Sequence, residues 1–60
     1  MNDCEKKIRN YADEASSILS CIVDDAERGD VDLDGTYEGI DEVRSLLNRI
    51  EDALDELDEG

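Results

Sequence analysis

The stretch RGDVDLDGT at residues 28–36 decides the fold of this 60-residue chain, because it interrupts two long segments of regular hydrophobic spacing. It is rich in Gly and Asp and has no apolar periodicity of its own. Gly29 is typical of a helix C-cap, where left-handed backbone is needed. Asp34 and Thr36 are both of the residue types that cap a helix N-terminus. The stretch therefore predicts a turn at about residues 29–35.

The segments on either side of this turn have the spacing of amphipathic helices. Their apolar residues recur at alternating intervals of three and four, which indicates a helical stripe of the coiled-coil type. The stripes are Cys4, Ile8, Tyr11, Ala15, Ile18 and Ile22 before the turn, and Ile40, Val43, Leu47, Ile50, Leu54 and Leu57 after it. We predict helices over about residues 3–28 and about residues 36–58.

A turn this short folds the second helix back on the first, so the predicted fold is all-α, an antiparallel two-helix hairpin forming a single domain over residues 1–60. One register brings the two stripes together along their whole length. Its facing pairs are Ile8 with Leu57, Tyr11 with Leu54, Ala15 with Ile50, Ile18 with Leu47, Ile22 with Val43, and Ala26 with Gly39. The last pair predicts a close approach of two small residues.

A second apolar row lies beside the first, and one hairpin cannot cover both. Its members are Ala12, Leu19, Val23, Ala26, Tyr37, Leu46 and Ala53. We expect this row to be the face of a homodimer that forms a four-helix bundle, or else the docking face of a monomer for another protein. The bundle is similar in shape to a small plasmid RNA-binding regulator built from two dimerised hairpins, although the basic residues that bind RNA are missing here.

The formal net charge of −13 excludes several partners. Such a surface repels phosphate, which argues against direct binding of nucleic acid or of anionic membranes. The chain has no apolar run of the ~20 residues that cross a bilayer, and its N-terminus lacks the apolar core of a secretory signal. We expect a cytoplasmic location, in a bacterium or a phage-infected host.

The two cysteines are predicted to be reduced. Cys4 and Cys21 would lie roughly 25 Å apart on one helix, too far for an intrachain disulfide. We expect Cys21 to be half-buried beside the apolar stripe, and an interchain disulfide or a reactive thiol is the alternative.

Acidic residues crowd around the turn with little to balance them. These are Asp24, Asp25, Glu27, Asp30, Asp32, Asp34, Glu38, Asp41 and Glu42, against Arg28 and Arg44. At the other end of the hairpin, Lys6, Lys7 and Arg9 are expected to lie near Glu51, Asp52, Asp55, Glu56 and Asp58. Three interpretations of the acidic turn stay open: a solubilising face, a mimic of a nucleic-acid backbone that occupies a basic groove on a protein, or a metal site.

The metal interpretation rests on residues 30–41, DVDLDGTYEGID, which resemble an EF-hand calcium loop. Acids occupy loop positions 1, 3 and 5, with Gly at position 6. The likeness to the dockerin variant, with Asp at position 12, is closer. The resemblance implies calcium ligation by Asp30, Asp32, Asp34, the carbonyl of Thr36, and Asp41. Tyr37 at position 8 and the presence of a single loop depart from both families, and an Asp-capped turn is the other interpretation.

The sequence favours a non-catalytic binding protein. It has no His, its Ser residues have no base partner, and no carboxylate occupies the apolar stripes, so we predict no enzymatic site and no cofactor other than calcium. In size, charge and helicity the chain resembles small acidic phage inhibitors, anti-CRISPR proteins among them. That resemblance implies an inhibitor whose partner is a protein with a basic surface. A calcium-dependent interaction module and a structural adaptor bundle are the alternatives.

Overall fold

Two long helices make up almost all of the fold. The computed structural model describes residues 2–59, in which α1 spans Asp3–Arg28 and α2 spans Leu33–Glu59. The start of α1 and the end of α2 lie side by side, since Lys7 and Glu56 form an ion pair. The predicted all-α antiparallel hairpin is confirmed. Met1 and Gly60, the ends of the predicted domain, lie outside the described residues.

Local hydrogen bonds fix both ends of α1. At its start the Glu5 N–H donates to Asn2 Oδ1 (2.8 Å) and the Asn2 N–H donates to Glu5 Oε1 (3.2 Å), which is a capping box. At its end Gly29 adopts left-handed backbone with φ 70°. The Gly29 N–H donates to the Ala26 carbonyl (3.2 Å) and the Asp30 N–H to the Asp25 carbonyl (2.9 Å), a Schellman motif. The predicted cap at Gly29 is confirmed.

The second helix begins at Leu33, three residues before the predicted start at residue 36. The carbonyl of Asp32 accepts the N–H of Thr36 at 2.9 Å, as an N-cap residue does. The Asp32 side chain lies over Gly35, where a Cβ would come within 2.9 Å of Asp32 Oδ2. Asp34 and Thr36 lie inside the first turn of α2, so the prediction that one of them caps the helix was wrong.

The shorter turn changes the register between the helices. Gly39 packs on Ile18 and Ile22, to which a Cβ at that position would approach within 3.2 Å and 3.6 Å, so its predicted pairing with Ala26 was wrong. The Arg49 guanidinium lies 5.7 Å from the ring centroid of Tyr11, which was expected to face Leu54. Starting α2 earlier moves the fold-back point toward the N-terminus, and the facing pairs shift by about one helical turn.

The core is a narrow seam between the helices. Ala15 of α1 and Leu46 and Ala53 of α2 are its buried residues, and within residues 2–59 no charged side chain is buried. The α1 stripe is half-buried as predicted, but α2 is rotated: Leu46 is 2% exposed and Leu47 is 50% exposed. Leu46 and Ala53 therefore belong to the core, and their assignment to a dimer or docking face was wrong. Ile40, Val43 and Ile50 are half-buried and fit either rotation of α2, so periodicity could not choose between Leu46 with Ala53 and Leu47 with Leu54.

Several large apolar side chains remain outside this seam. From the predicted second row Ala12, Leu19, Val23, Ala26 and Tyr37 are exposed, and so are Leu47, Leu54 and Leu57, which were expected to be core. The hairpin is one helix thick, with extents of 45 × 18 × 11 Å. Neither helix combines the length and apolarity needed to cross a bilayer. The homodimer stays a prediction.

The rotation of α2 gives the first testable prediction. We expect Leu46→Ala to lower the free energy of unfolding by about 2–5 kcal/mol, because it leaves a cavity in the seam. We expect Leu47→Ala to cost about 1 kcal/mol in dilute solution, since half of that side chain is already in water. Urea unfolding followed by circular dichroism measures both. A larger loss for Leu47→Ala would contradict the observed rotation.

Candidate functional site

The acidic residues predicted around the turn do converge on one end of the hairpin, which we call the acidic end. Residues 24–42 hold nine carboxylates and one base, Arg28. Arg28 is already engaged, with its Nη2 3.9 Å from Asp24 Oδ2. Arg44, the other base expected nearby, makes no ion pair with the described residues. The acidic end therefore keeps most of its negative charge.

The helix dipoles add to the negative potential at the end of α1 and offset it at the start of α2. Asp24, Asp25 and Glu27 lie near the C-terminus of α1, where the helix dipole is also negative. Asp34 lies in the first turn of α2, where the dipole favours an anion. The carboxylates on α2 from Asp34 to Glu42 extend roughly 12 Å along the helix, about one Debye length at physiological salt. They act on an approaching charge as one patch.

An open groove runs between the helices at the acidic end. Its floor is formed by Ile18, Ile22 and Gly39, and its rim includes Asp25 and Asp32. Gly39 keeps the groove open on the α2 side, because it has no side chain to fill it. An apolar floor beside carboxylates is suited to a Lys or Arg side chain, whose methylene stem packs on aliphatic surface while its charged head stays polar. Sequence reasoning missed this groove because it depends on the shifted register.

The residues of the EF-hand resemblance do not form a calcium site in this arrangement. Residues 33–41 belong to α2, so Asp34, Thr36 and Asp41 are held by helical backbone and do not wrap around a cation. Asp30 and Asp32 lie in the turn. Across residues 2–59 there is no group of three or more Cys, Asp or Glu side chains placed to hold a metal ion. Calcium binding stays a prediction, and it would require the first turns of α2 to unwind.

The opposite end of the hairpin is partly neutralised, as predicted. Lys7 Nζ lies 3.8 Å from Glu56 Oε2, whereas Lys6 and Arg9 make no ion pair with the described residues. The last turn of α2 contains no base. The N-terminus of α1 and Lys7 therefore supply positive charge beside the last turn of α2, which has no base of its own.

Both cysteines are free, in agreement with the predicted absence of an intrachain bridge. Cys21 is exposed, so the expectation that it packs half-buried was wrong: it precedes the seam residue Ile22 and points to the polar side of α1. Cys4 is half-buried, and its Sγ donates to Glu56 Oε2 at 3.4 Å. Desolvation and then the Glu56 carboxylate raise the pKa of the Cys4 thiol above its ordinary value.

This contact predicts the reactivity of Cys4. In a Cys21→Ser background, Glu56→Gln should lower the pKa of Cys4 by removing a charged hydrogen-bond acceptor. The pH profile of its thiol-labelling rate should then shift toward lower pH, because thiolate is the reactive form. Glu38→Gln is the matched control, since it removes one carboxylate at the acidic end. An unchanged profile in Glu56→Gln would show that the two side chains do not interact.

Comparisons of the chain with protein-family models, with curated protein sequences and with solved structures find no match. The surface and the charge of the hairpin are therefore the basis for inferring its function.

Proposed function

We propose that this chain is a non-catalytic protein-binding protein whose acidic end occupies a basic, nucleic-acid-binding surface of a partner protein. The observation that supports the proposal is the nine carboxylates at residues 24–42, whose single base is already paired with Asp24. Self-repulsion of so many like charges opposes folding. A partner that supplies positive charge would relieve that repulsion on binding.

The rigidity of the acidic end favours this mechanism. Seven of its nine carboxylates stand on the helices, and Asp30 and Asp32 lie in the short turn that joins them. Charges on fixed backbone cost less entropy to align with a partner than charges on a flexible tail. Opposite potentials then steer the encounter and raise the association rate, with a strong dependence on ionic strength.

The groove supplies a second, apolar element of recognition. A Lys or Arg of the partner can lay its stem on Ile18 and Ile22 while its charge meets Asp25 or Asp32. This contact fixes the orientation of the partner, which charge alone does not do. Mutating it should increase the dissociation rate, whereas mutating outlying carboxylates should mainly slow association.

Occupation of a nucleic-acid-binding groove would block its normal ligand. The chain would then act as an inhibitor and a nucleic-acid mimic, in the manner of the small phage proteins that oppose host defence, anti-CRISPR proteins among them. The encounter would take place in the cytoplasm of the infected bacterium.

Two triple variants with the same change of charge test this proposal. Changing Asp30, Asp32 and Asp34 to Asn removes three of the nine carboxylates of the acidic end and keeps a residue that can cap α2. Changing Asp52, Asp55 and Asp58 to Asn removes three carboxylates from the opposite end. Each protein is immobilised and exposed to a bacterial lysate at low and at high salt, and bound proteins are then challenged with DNA.

The original chain should retain nucleic-acid-binding proteins at low salt and release them when DNA is added. The variant at the acidic end should lose this retention, and the variant at the opposite end should keep it. Equal retention by both variants, or proteins that added DNA does not displace, would contradict the proposal and favour a solubilising role for the acidic residues.

A further inference from the structure

We propose that a second copy of this chain covers one broad side of the hairpin, and that the two α2 helices cross antiparallel near Leu47. We call this side the apolar face. Its large members are Leu19, Val23, Leu33, Tyr37, Leu47 and Leu54, which are 48–69% exposed. This proposal does not depend on what the acidic end binds.

The apolar face follows from the position of the seam on each helix. On α1 the half-buried Ile18 and Ile22 are each followed by an exposed apolar residue, Leu19 and Val23. One residue turns the helix by about 100°, which moves the side chain from the seam to its flank.

The same step on α2 leads from the buried Leu46 to the exposed Leu47, and from the buried Ala53 to the exposed Leu54. Because the two helices run in opposite directions, a step from a seam residue to the next residue leads to the same side of the hairpin on both helices. The two flanks therefore form one continuous face.

The distribution of charge separates this face from the opposite side. On α1 the residues that follow the seam from Tyr11 onward are uncharged: Ala12, Ser16, Leu19, Val23 and Ala26. Only nearer the N-terminus are they charged, where Glu5 and Arg9 follow Cys4 and Ile8. The residues that precede the seam are all polar or ionisable: Asn10, Glu14, Ser17, Cys21 and Asp24. Nineteen of the 60 residues are acidic, yet none of them follows the seam between Ala12 and Ala26. The absence of carboxylates along this part of α1 indicates a surface that is removed from water.

The dimensions of the hairpin also call for a second layer. Stable domains pack at least two layers around a core, whereas this hairpin is 11 Å thick and buries three of the residues from 2 to 59. Its broad side measures 45 × 18 Å, or about 800 Å², which is what each partner contributes to a standard protein interface. A second hairpin laid on this side would complete a four-helix bundle.

Two charged residues on the α2 flank indicate that the occupant is a second copy. Arg44 follows the seam residue Val43, and Glu51 follows Ile50, so they lie one heptad apart on the apolar face. An antiparallel crossing near Leu47 brings Arg44 of one copy toward Glu51 of the other, and the twofold axis repeats the pair. Arg44 makes no ion pair within the described residues of its own chain.

The same crossing keeps the negative charges of the two copies far apart. It directs the two acidic ends to opposite ends of a 45 Å hairpin, several Debye lengths apart. A parallel crossing would place eighteen carboxylates side by side, twice the nine of one acidic end. The groove at the acidic end, whose rim includes Cys21 and Asp32, lies on the polar side and stays open in the dimer. The dimer therefore has two open grooves, one at each acidic end.

Sedimentation equilibrium across a range of concentrations tests whether the apolar face forms the dimer, and circular dichroism follows folding. The original chain should be a dimer that tightens as salt is raised, because salt screens the repulsion between two negative copies. Leu47→Glu should raise the dissociation constant by more than about 30-fold. Ser45→Glu, which adds the same charge outside the apolar face, should leave it within about threefold.

Charge exchange tests the crossing and does not require a stable monomer. Arg44→Glu and Glu51→Arg should each weaken self-association about tenfold, the second even though it lowers the net negative charge. The double variant should recover the original dissociation constant. The two single variants, when mixed, should form a heterodimer, because each supplies the charges that the other lacks.

A fully helical monomer at all concentrations would overturn the proposal, and so would a dimer that Leu47→Glu leaves intact. Loss of the dimer in Leu47→Glu without recovery in the charge-exchanged double variant would overturn the antiparallel crossing.

Discussion

The short turn at residues 29–32 is the constraint on which the rest of this structure depends. Gly29 takes left-handed backbone that ends α1, and Asp32 starts α2 almost at once. With so few residues between the helices, α2 can return only alongside α1, and the position of the turn sets which residues meet. Ile18 therefore meets Gly39, and Leu46 becomes the most enclosed side chain of the seam.

The same turn organises the charge. It gathers carboxylates from the end of α1 and the start of α2 into one patch. In a single straight helix the same carboxylates would be spread over roughly 27 Å. The polar side of the hairpin includes the groove at the acidic end and, near the other end, Glu56, which contacts Lys7 and Cys4. The other side carries exposed apolar residues, Leu19, Val23, Tyr37, Leu47 and Leu54 among them. A chain with a net charge of −13 thus keeps most of its charge away from its exposed apolar residues, and each of the two surfaces suggests its own kind of contact.

Features that depend on local sequence could be predicted well. The existence of both helices, the cap at Gly29 and the α1 stripe follow from residue spacing and backbone preference, and all are present. The position of the acidic end was predictable too, because its carboxylates are close in sequence to the turn. The free state of Cys4 and Cys21 followed from their separation along one helix.

Features that depend on how α2 sits against α1 could not be predicted. Leu46 with Ala53 and Leu47 with Leu54 are both one heptad apart and both fit beside the rest of the stripe, and the pair Leu47 and Leu54 is the more hydrophobic. The smaller Ala53 and Gly39 face α1 instead and let the helices approach closely. An N-cap at Asp32 was hard to distinguish among three aspartates at alternate positions, and the register depended on that choice. The groove at the acidic end went unnoticed for the same reason.

A disulfide that can form in only one register tests the account most directly. Ile18→Cys with Gly39→Cys, in a chain whose own cysteines are changed to Ser, should oxidise within a single chain, since a Cβ at residue 39 would lie 3.2 Å from Ile18 Cγ2. Ile18→Cys with Leu47→Cys, the pair expected from hydrophobic spacing, should form no bridge within one chain. Mass spectrometry of the oxidised monomers distinguishes them. A bridge within one chain between residues 18 and 47, with none between residues 18 and 39, would contradict the register and everything inferred from it.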